Sequence, residues 1–271
     1  PAKGKPINIT TLLMLDAFKM LANIPFLVFI LCSAAICVPL AYYFAYTSVY
    51  LPQIGFQATA STMALGQVSE IFFMLLVPFF FRKLGVKLMI LIGMMAWVAR
   101  YALFAFGAPE QVVWMIMLGV VLHGICYDFF FVTGFMYTDN KAPKEIRSQA
   151  QSLLVFFTQG IGMFLGYRIA AGTPLVPFIS DYKLTPGFPA VEGSSNALAE
   201  TIKTPEFGFW ESFGKMFLTE KPQAAGSVVS DAMSNWKVFW MFPCLMALVV
   251  TVVFAVTFWD KYKEEGGAEK S

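Results

Sequence analysis

The sequence contains few charged residues and only one histidine. Asp, Glu, Lys and Arg make up 13% of the 271 residues, whereas an average soluble domain contains about 25%. Hydrophobic residues account for 58% of the chain, and 29 residues are Phe. A chain of this composition has too little polar surface to remain in solution, which excludes soluble enzymes and nucleic-acid-binding proteins. We therefore predict an integral membrane protein.

Cysteine is also scarce, and its positions argue against a metal site. All four cysteines lie in apolar segments, and none shows a Cys/His metal-ligand spacing. They are Cys32, Cys37, Cys126 and Cys244. We expect reduced thiols that act as small packing residues, with no metal and no organic cofactor.

The apolar residues are grouped in blocks long enough for a helix to cross about 30 Å of hydrocarbon. The strands of a membrane barrel would instead show alternation over about ten residues. We predict an all-α membrane protein with six transmembrane helices, at residues 24–46, 59–81, 86–106, 111–137, 146–171 and 236–259.

Three segments lie outside the predicted spans. Residues 1–23 are interpreted as a cytoplasmic connector, in which an apolar stripe between Thr11 and Ala22 indicates an interfacial helix. Residues 172–235 are predicted to form an outer loop, with an amphipathic helix at the surface over residues 206–217. Residues 260–271 are predicted to be a cytoplasmic tail. We assign no chemistry to the loop.

Basic residues indicate the orientation of the chain. The first two predicted outer loops contain no Lys or Arg, whereas the opposite side carries most of the basic residues. These are Lys3, Lys5, Lys19, Arg82, Lys83, Lys87, Lys141, Lys144, Arg147, Lys261, Lys263 and Lys270. By the positive-inside rule, both termini are cytoplasmic and the protein lies in a plasma membrane or bacterial inner membrane.

The second predicted helix carries two polar residues at mid-depth. Gln67 and Glu70 are three residues apart and share a face, and Glu70 lies about 16 Å from the helix start. Exposing an Asp or Arg to lipid at this depth costs at least about 2.5 to 3.5 kcal/mol. The pair therefore predicts a polar site that faces a cavity or a partner helix.

The fourth predicted helix contains His123, Tyr127 and Asp128. His123 and Tyr127 share a face, and Asp128 lies about 140° around the helix from His123, so all three can line a water-filled path. The alternatives are a carboxylate satisfied by a neighbouring helix and a hydrogen-bonded packing histidine. The spacing His-x-x-x-x-Asp also occurs in glycerolipid acyltransferases, but the 140° offset spoils the contact, so we predict no enzyme.

Two other features add candidate site residues. Arg100 lies roughly 9 Å from the outer end of the third helix, and we expect it to pair with Glu70 in at least one state; the alternative is a side chain that snorkels outward. The first helix ends in an aromatic run. Its residues Tyr43, Tyr46 and Thr47 could contact a planar ligand, although an interfacial aromatic belt explains the run equally well.

Several segments resemble one transporter family. Residues 66–73 and 77–81 look like helix eight of the nucleoside/proton symporters, a family of major facilitator transporters, and residues 96–107 resemble their helix nine. Residues 127–134 and 146–151 resemble helix ten and the entry to helix eleven, and residues 15–19 are similar to the connector before helix seven. The resemblance covers nearly the whole chain except residues 172–235, and implies the C-terminal half, helices seven to twelve.

The resemblance implies roles for single residues. Gln67 and Glu70 would hydrogen-bond the nucleoside, and Tyr127 and Asp128 would complete the pocket. His123 stands where the family presents a tyrosine. The family's polar amide pair on the first of these helices aligns with Ala41 and Phe44, so Tyr43, Tyr46 or Thr47 would have to replace its contacts.

We therefore expect proton-coupled import of nucleosides by alternating access, with Asp128 or Glu70 as the proton-coupling residue and Asp128 favoured. The expected partners are a nucleoside, the bilayer and an N-terminal half of six helices, without which this chain would not transport. Two alternatives remain at this point. One is a major facilitator transporter of another small solute, such as a sugar or a drug, and the other is a non-transporting membrane sensor or scaffold on the same fold.

Overall fold

The computed structural model describes residues 14–173, 187–202 and 205–259. Part of the predicted connector (residues 1–13), part of the predicted outer loop (174–186 and 203–204) and the predicted tail (260–271) lie outside them. So do five of the basic residues that indicate orientation, namely Lys3, Lys5, Lys261, Lys263 and Lys270.

The described residues are predominantly helical, and five of their helices are long and apolar enough to cross a membrane. A short helix and a 3₁₀ turn at Lys19–Ala22 precede the first of them, and two short helices precede the last. In chain order the helices are α1 (Leu15–Phe18), α2 (Ile24–Ile54), α3 (Thr59–Gly107), α4 (Val113–Lys141), α5 (Lys144–Ala170), α6 (Pro189–Ala199), α7 (Phe209–Gly214) and α8 (Gly226–Thr257).

The longest helix, α3, has 49 residues, which is more than twice the length needed for one crossing. It is interrupted at Gly85, whose φ of 68° and ψ of 177° are non-helical and favour glycine. Contacts with α4 show that the two arms run in opposite directions. Along the first arm Gly66 lies against His123 and Phe80 against Phe129, so the residue numbers rise together. Along the second arm Gly93 lies against Phe130 and Gly107 against Ile116, so they run in opposite order. The helix α3 therefore supplies two antiparallel segments, each long enough to cross.

Two helices extend beyond the predicted spans. The helix α2 begins at Ile24, where the Asn23 side chain accepts a hydrogen bond from the Phe26 amide, but it continues to Ile54 instead of ending at residue 46. The helix α8 begins at Gly226 instead of residue 236. Hydropathy marks the apolar block and not the end of the helix, because a helix satisfies its own backbone groups outside the hydrocarbon as well as inside it.

One end of the bundle is closed by a hydrogen-bonded group that we call the clasp: Gln53, Gln111, Ser195 and Trp236. The Gln53 amide donates to the Ser195 hydroxyl at 2.7 Å and accepts from the Trp236 indole at 2.8 Å. Its backbone carbonyl accepts from the Gln111 side chain at 2.8 Å. The clasp fastens α6, which lies within the predicted loop, onto α2 and α8, and joins α2 to the connection between α3 and α4.

Candidate functional site

The first arm of α3 and α4 touch backbone to backbone near the middle of the bundle. The Ser69 hydroxyl accepts a hydrogen bond from the Gly124 amide at 2.9 Å and donates to the Gly66 carbonyl at 2.7 Å. A Cβ atom on Gly124 would lie 2.5 Å from the Ser69 carbonyl oxygen, so only glycine permits this approach. The contact sets Glu70 and His123, the residues that adjoin Ser69 and Gly124, close to each other.

Glu70 and His123 form the polar centre of the site. The Nε2 atom of His123 lies 3.8 Å from Oε2 of Glu70. The histidine side chain is 3% exposed and the glutamate side chain 24% exposed, so the glutamate reaches the surface of this chain while the histidine lies behind it. Gln67, one turn before Glu70, is exposed. Gln67 and Glu70 therefore present an amide and a carboxylate on adjacent turns.

Two tyrosine rings stack on the imidazole of His123. The Tyr127 ring lies 5.3 Å away at 29°, and the Tyr43 ring lies 5.5 Å away at 22°. Phe44 contacts the imidazole edge-on at 6.2 Å and is 40% exposed. Offset stacking of this kind is favourable between flat rings. We call Tyr127, His123 and Tyr43 the ring stack.

Arg100 lies at the Tyr43 end of the ring stack. Its guanidinium carbon is 4.3 Å from the centre of the Tyr43 ring, and its Nε donates to the Gly119 carbonyl at 3.0 Å. The residue is fully buried, so the alternative of an outward-snorkelling side chain is wrong. Both terminal nitrogens lack a hydrogen-bond partner among the described residues. The pairing with Glu70 expected in at least one state is absent from this conformation.

Asp128 is fully buried at the start of a π-helical turn, Asp128–Val132. Such turns occur frequently at functional sites. Neither carboxylate oxygen has a hydrogen-bond partner among the described residues, and the same holds for Nδ1 of His123. The alternative of an Asp128 carboxylate satisfied by a neighbouring helix therefore finds no support in this conformation.

The remaining aromatic candidates separate into two groups. Tyr43 belongs to the ring stack, whereas Tyr46 stacks on Phe188 at 4.5 Å and packs edge-on against Phe239. Tyr46 is thus not among the residues that contact His123. Thr47 is buried, and its hydroxyl has no partner in the described part of the chain. The sequence analysis did not identify Ser69. The sequence feature that could have pointed to it is its position as a small polar residue next to Glu70.

A family model described as "Nucleoside H+ symporter" matches residues 1–181. This chain belongs to the nucleoside H+ symporter family. It is 31% identical over 266 residues to a putative nucleoside transporter, YegT, of Escherichia coli K12, an alignment that covers 97% of the chain and 52% of the relative. It is 30% identical over 168 residues to the nucleoside permease NupG of the same organism, covering 58% of the chain and 40% of that protein.

A third relative and two solved structures extend the comparison. The xanthosine permease of E. coli K12 is 30% identical over 105 residues, which are 38% of this chain and 25% of the permease. Crystal structures of NupG superpose with TM-scores of 0.64 and 0.60 at 20% and 22% identity; both cover 95% of this chain, and 54% and 53% of NupG.

These findings confirm the predicted all-α transporter fold, and the named relatives are transporters and permeases. The protein is an integral membrane protein, and its fold matches that of about half of NupG. The chain spans about half the length of the curated relatives that it matches most extensively, with 52% of YegT covered.

Proposed function

We propose that this chain is the C-terminal half of a proton-coupled nucleoside importer that works by alternating access. The complete protein would have about twice this length, with an N-terminal half of six helices. Both termini of this half would be cytoplasmic, in a plasma membrane or bacterial inner membrane. Membership of the symporter family, the named nucleoside transporters and the half-length coverage support the proposal.

The observation that carries the proposal is the position of the Glu70 carboxylate beside the ring stack. The carboxylate lies 3.8 Å from His123 and is partly exposed, and the amide of Gln67 is one turn away. A nucleoside combines a flat base with a hydroxyl-rich sugar. Carboxylate and amide groups bind hydroxyls and base edges by hydrogen bonds, and aromatic rings such as Phe44 and Tyr127 pack against bases.

We assign proton coupling to Asp128, with Glu70 as the second candidate. A buried carboxylate is unfavourable when it is charged and unpaired, and Asp128 has no hydrogen-bond partner within the described part of the chain. Such a group is stabilised either by a proton or by a conformation that provides a partner. Proton binding and conformation are then linked, as symport requires.

Uptake by the complete protein tests the proposed function. In cells that lack other nucleoside transporters, we expect labelled uridine or adenosine to accumulate, and accumulation to collapse when the proton gradient is removed. Unlabelled nucleosides should compete, whereas sugars should not. Failure of both uridine and adenosine to compete would contradict the nucleoside assignment, and binding without flux would favour a sensor or scaffold.

Asp128→Asn tests the coupling assignment in the same cells. We expect the variant to lose accumulation against a gradient while it still exchanges nucleoside across the membrane, because binding groups remain and the titrating group is gone. Unchanged proton-driven uptake with an unchanged pH dependence would refute the assignment.

The proposed architecture has its own test. The 271-residue chain alone should produce no flux in liposomes, because the exposed Gln67 face would lack its other half. Six apolar segments encoded upstream, and restored uptake on co-expression of that region, would support the half-transporter assignment. Flux through the purified chain alone would overturn it.

A further inference from the structure

An exposed aromatic patch lies beside the membrane helices and plays no part in the proposed site. It consists of Phe209, Trp210, Phe213 and Phe217, whose exposed fractions are 72%, 83%, 44% and 64%. Single exposed apolar residues are ordinary, whereas a contiguous group of large ones marks a contact surface. The helix α7 carries three of the four side chains.

The patch occupies one side of an amphipathic turn. At about 100° per residue, the three aromatic side chains of α7 fall within an arc of about 100°, and Glu211 falls about 100° beyond its edge. The Lys215 ammonium donates to the Glu211 carboxylate at 2.7 Å, and this bond holds the pKa of the Glu211 carboxyl below its ordinary value. The polar side therefore carries charges at neutral pH.

Hydrogen bonds fix the depth of this segment relative to the membrane helices. The Glu220 amide donates to the Gly55 carbonyl at 2.8 Å, and the Gln57 amide donates to the Leu218 carbonyl at 3.2 Å. The Thr62 hydroxyl donates to the Met216 carbonyl at 2.8 Å. Thr62 is within the first turn of α3, so residues 216–220 are fastened at the level where the apolar span begins.

We propose that the aromatic patch inserts into the headgroup and acyl-chain boundary of the bilayer, and anchors this end of the bundle at a defined depth. Trp and Phe on one face of an amphipathic helix favour this boundary, with the charged face in water. The patch continues the lipid-exposed surface of the bundle, because the segment that carries it is bonded to the end of a membrane-crossing helix. The bonds to Gly55, Gln57 and Thr62 would transmit the anchoring to α3, which carries Gln67 and Glu70.

Spin-label accessibility in liposomes tests the proposal with a matched pair of variants. The native cysteines are buried, so a nitroxide can be attached selectively at Phe209→Cys or at Glu211→Cys, which lie about 160° apart around the turn. In the protein reconstituted in phosphatidylcholine, the Phe209→Cys label should collide more with oxygen than with a water-soluble nickel chelate. The Glu211→Cys label should show the reverse order.

A second measurement retains the native patch. Lipids brominated near the headgroup quench nearby tryptophans. The emission intensity lost per protein molecule in liposomes of these lipids should be larger for the unmodified protein than for Trp210→Phe. Equal quenching of the two proteins would overturn the proposal. So would strong nickel collision at both labels, which means that the patch is in water, or weak collision with both reagents at Phe209→Cys, which means that a protein surface covers it.

Discussion

The clasp and the site differ in whether their buried polar groups have hydrogen-bond partners. In the clasp, the Gln53 side chain uses both its nitrogen and its oxygen, and its backbone carbonyl accepts a further bond from Gln111. At the site, the terminal nitrogens of Arg100, both oxygens of Asp128 and Nδ1 of His123 are buried without hydrogen-bond partners among the described residues. The helix α2 contributes to both regions, through Gln53 in the clasp and Tyr43 at the site.

The difference separates polar residues that stabilise the fold from polar residues that are available for function. A satisfied buried hydrogen bond contributes about 1 kcal/mol, whereas a buried group without a partner costs about 1–3 kcal/mol. A fold that needed only stability would not retain the unpaired groups of Arg100 and Asp128. Neutral side chains elsewhere in the described residues also lack partners, among them Trp97 and Trp240. The penalty is largest for the charged groups of Arg100 and Asp128, so we expect substrate, a proton or another conformation to supply their partners.

The largest expected effect comes from breaking the clasp. Gln53→Leu removes the side-chain partner of Ser195 and of Trp236, and leaves the Trp236 N–H buried without a partner. The backbone carbonyl that accepts from Gln111 remains. We expect the free energy of unfolding to fall by roughly 3 kcal/mol, the loss of two buried hydrogen bonds together with the penalty for the unpaired Trp236 N–H. Thermal unfolding in detergent measures the loss, and uptake per folded molecule of the complete protein should be preserved.

Gln57→Leu is the matched control for the clasp. Gln57 lies one turn further along the chain and is half-buried, and no clasp bond depends on it. The unfolding temperature of the Gln57→Leu variant should stay close to that of the unmodified protein. If Gln53→Leu were equally stable, the clasp would not fasten α6 to the bundle.

Glu70→Gln should lower uptake and leave stability nearly unchanged, the reverse of Gln53→Leu. The variant removes the charge that we propose binds the sugar or base, and loss of a charge-assisted hydrogen bond of about 1.5–3 kcal/mol predicts a fall in uptake of roughly tenfold to a hundredfold. Stability should change little, since the carboxylate is partly exposed and its contact with His123 is 3.8 Å long.

The control for this variant is Glu110→Gln, at an exposed position just beyond α3. It should leave uptake and stability unchanged. Uptake that survives Glu70→Gln, or a loss of stability as large as that of Gln53→Leu, would remove the distinction between the two regions.

Much of the fold was predictable because lipid restricts the chain to apolar helices. The mid-span residues Glu70, His123, Arg100 and Asp128 stood out for the same reason. The clasp was not predictable, because Gln53 lies at a helix end, where a polar residue is ordinary and its partners Ser195 and Trp236 are distant in sequence. Nor could helical spacing reveal that Tyr43 and not Tyr46 stacks on His123, since that depends on how α2 packs against α4.

Arg100→Lys separates two roles of Arg100: its contacts with Tyr43 and Gly119, and its expected pairing with Glu70 in another state. Lysine keeps the charge but loses the planar group over Tyr43 and the Nε bond to Gly119, so we expect a loss of stability of about 1 kcal/mol in thermal unfolding. If Arg100 serves only to pair with Glu70 in another state, lysine should sustain uptake, whereas Arg100→Met should not. Equal uptake by both variants would contradict that pairing.

The smallest effect is expected at His123, where the ring stack can accept another flat side chain. His123→Tyr restores the residue type that the resemblance implies, and His123→Phe keeps the ring but removes the polar edge that faces Glu70. Both should retain the folded structure. We expect His123→Tyr to change the relative preference between purine and pyrimidine nucleosides by about three- to fivefold, under about 1 kcal/mol, as measured by competition for uptake. His123→Phe should lower the affinity for all nucleosides, because Glu70 loses its neighbour in this conformation. An identical preference between purine and pyrimidine nucleosides in the two variants would mean that selectivity depends on the shape of the ring at position 123 and not on its polar edge.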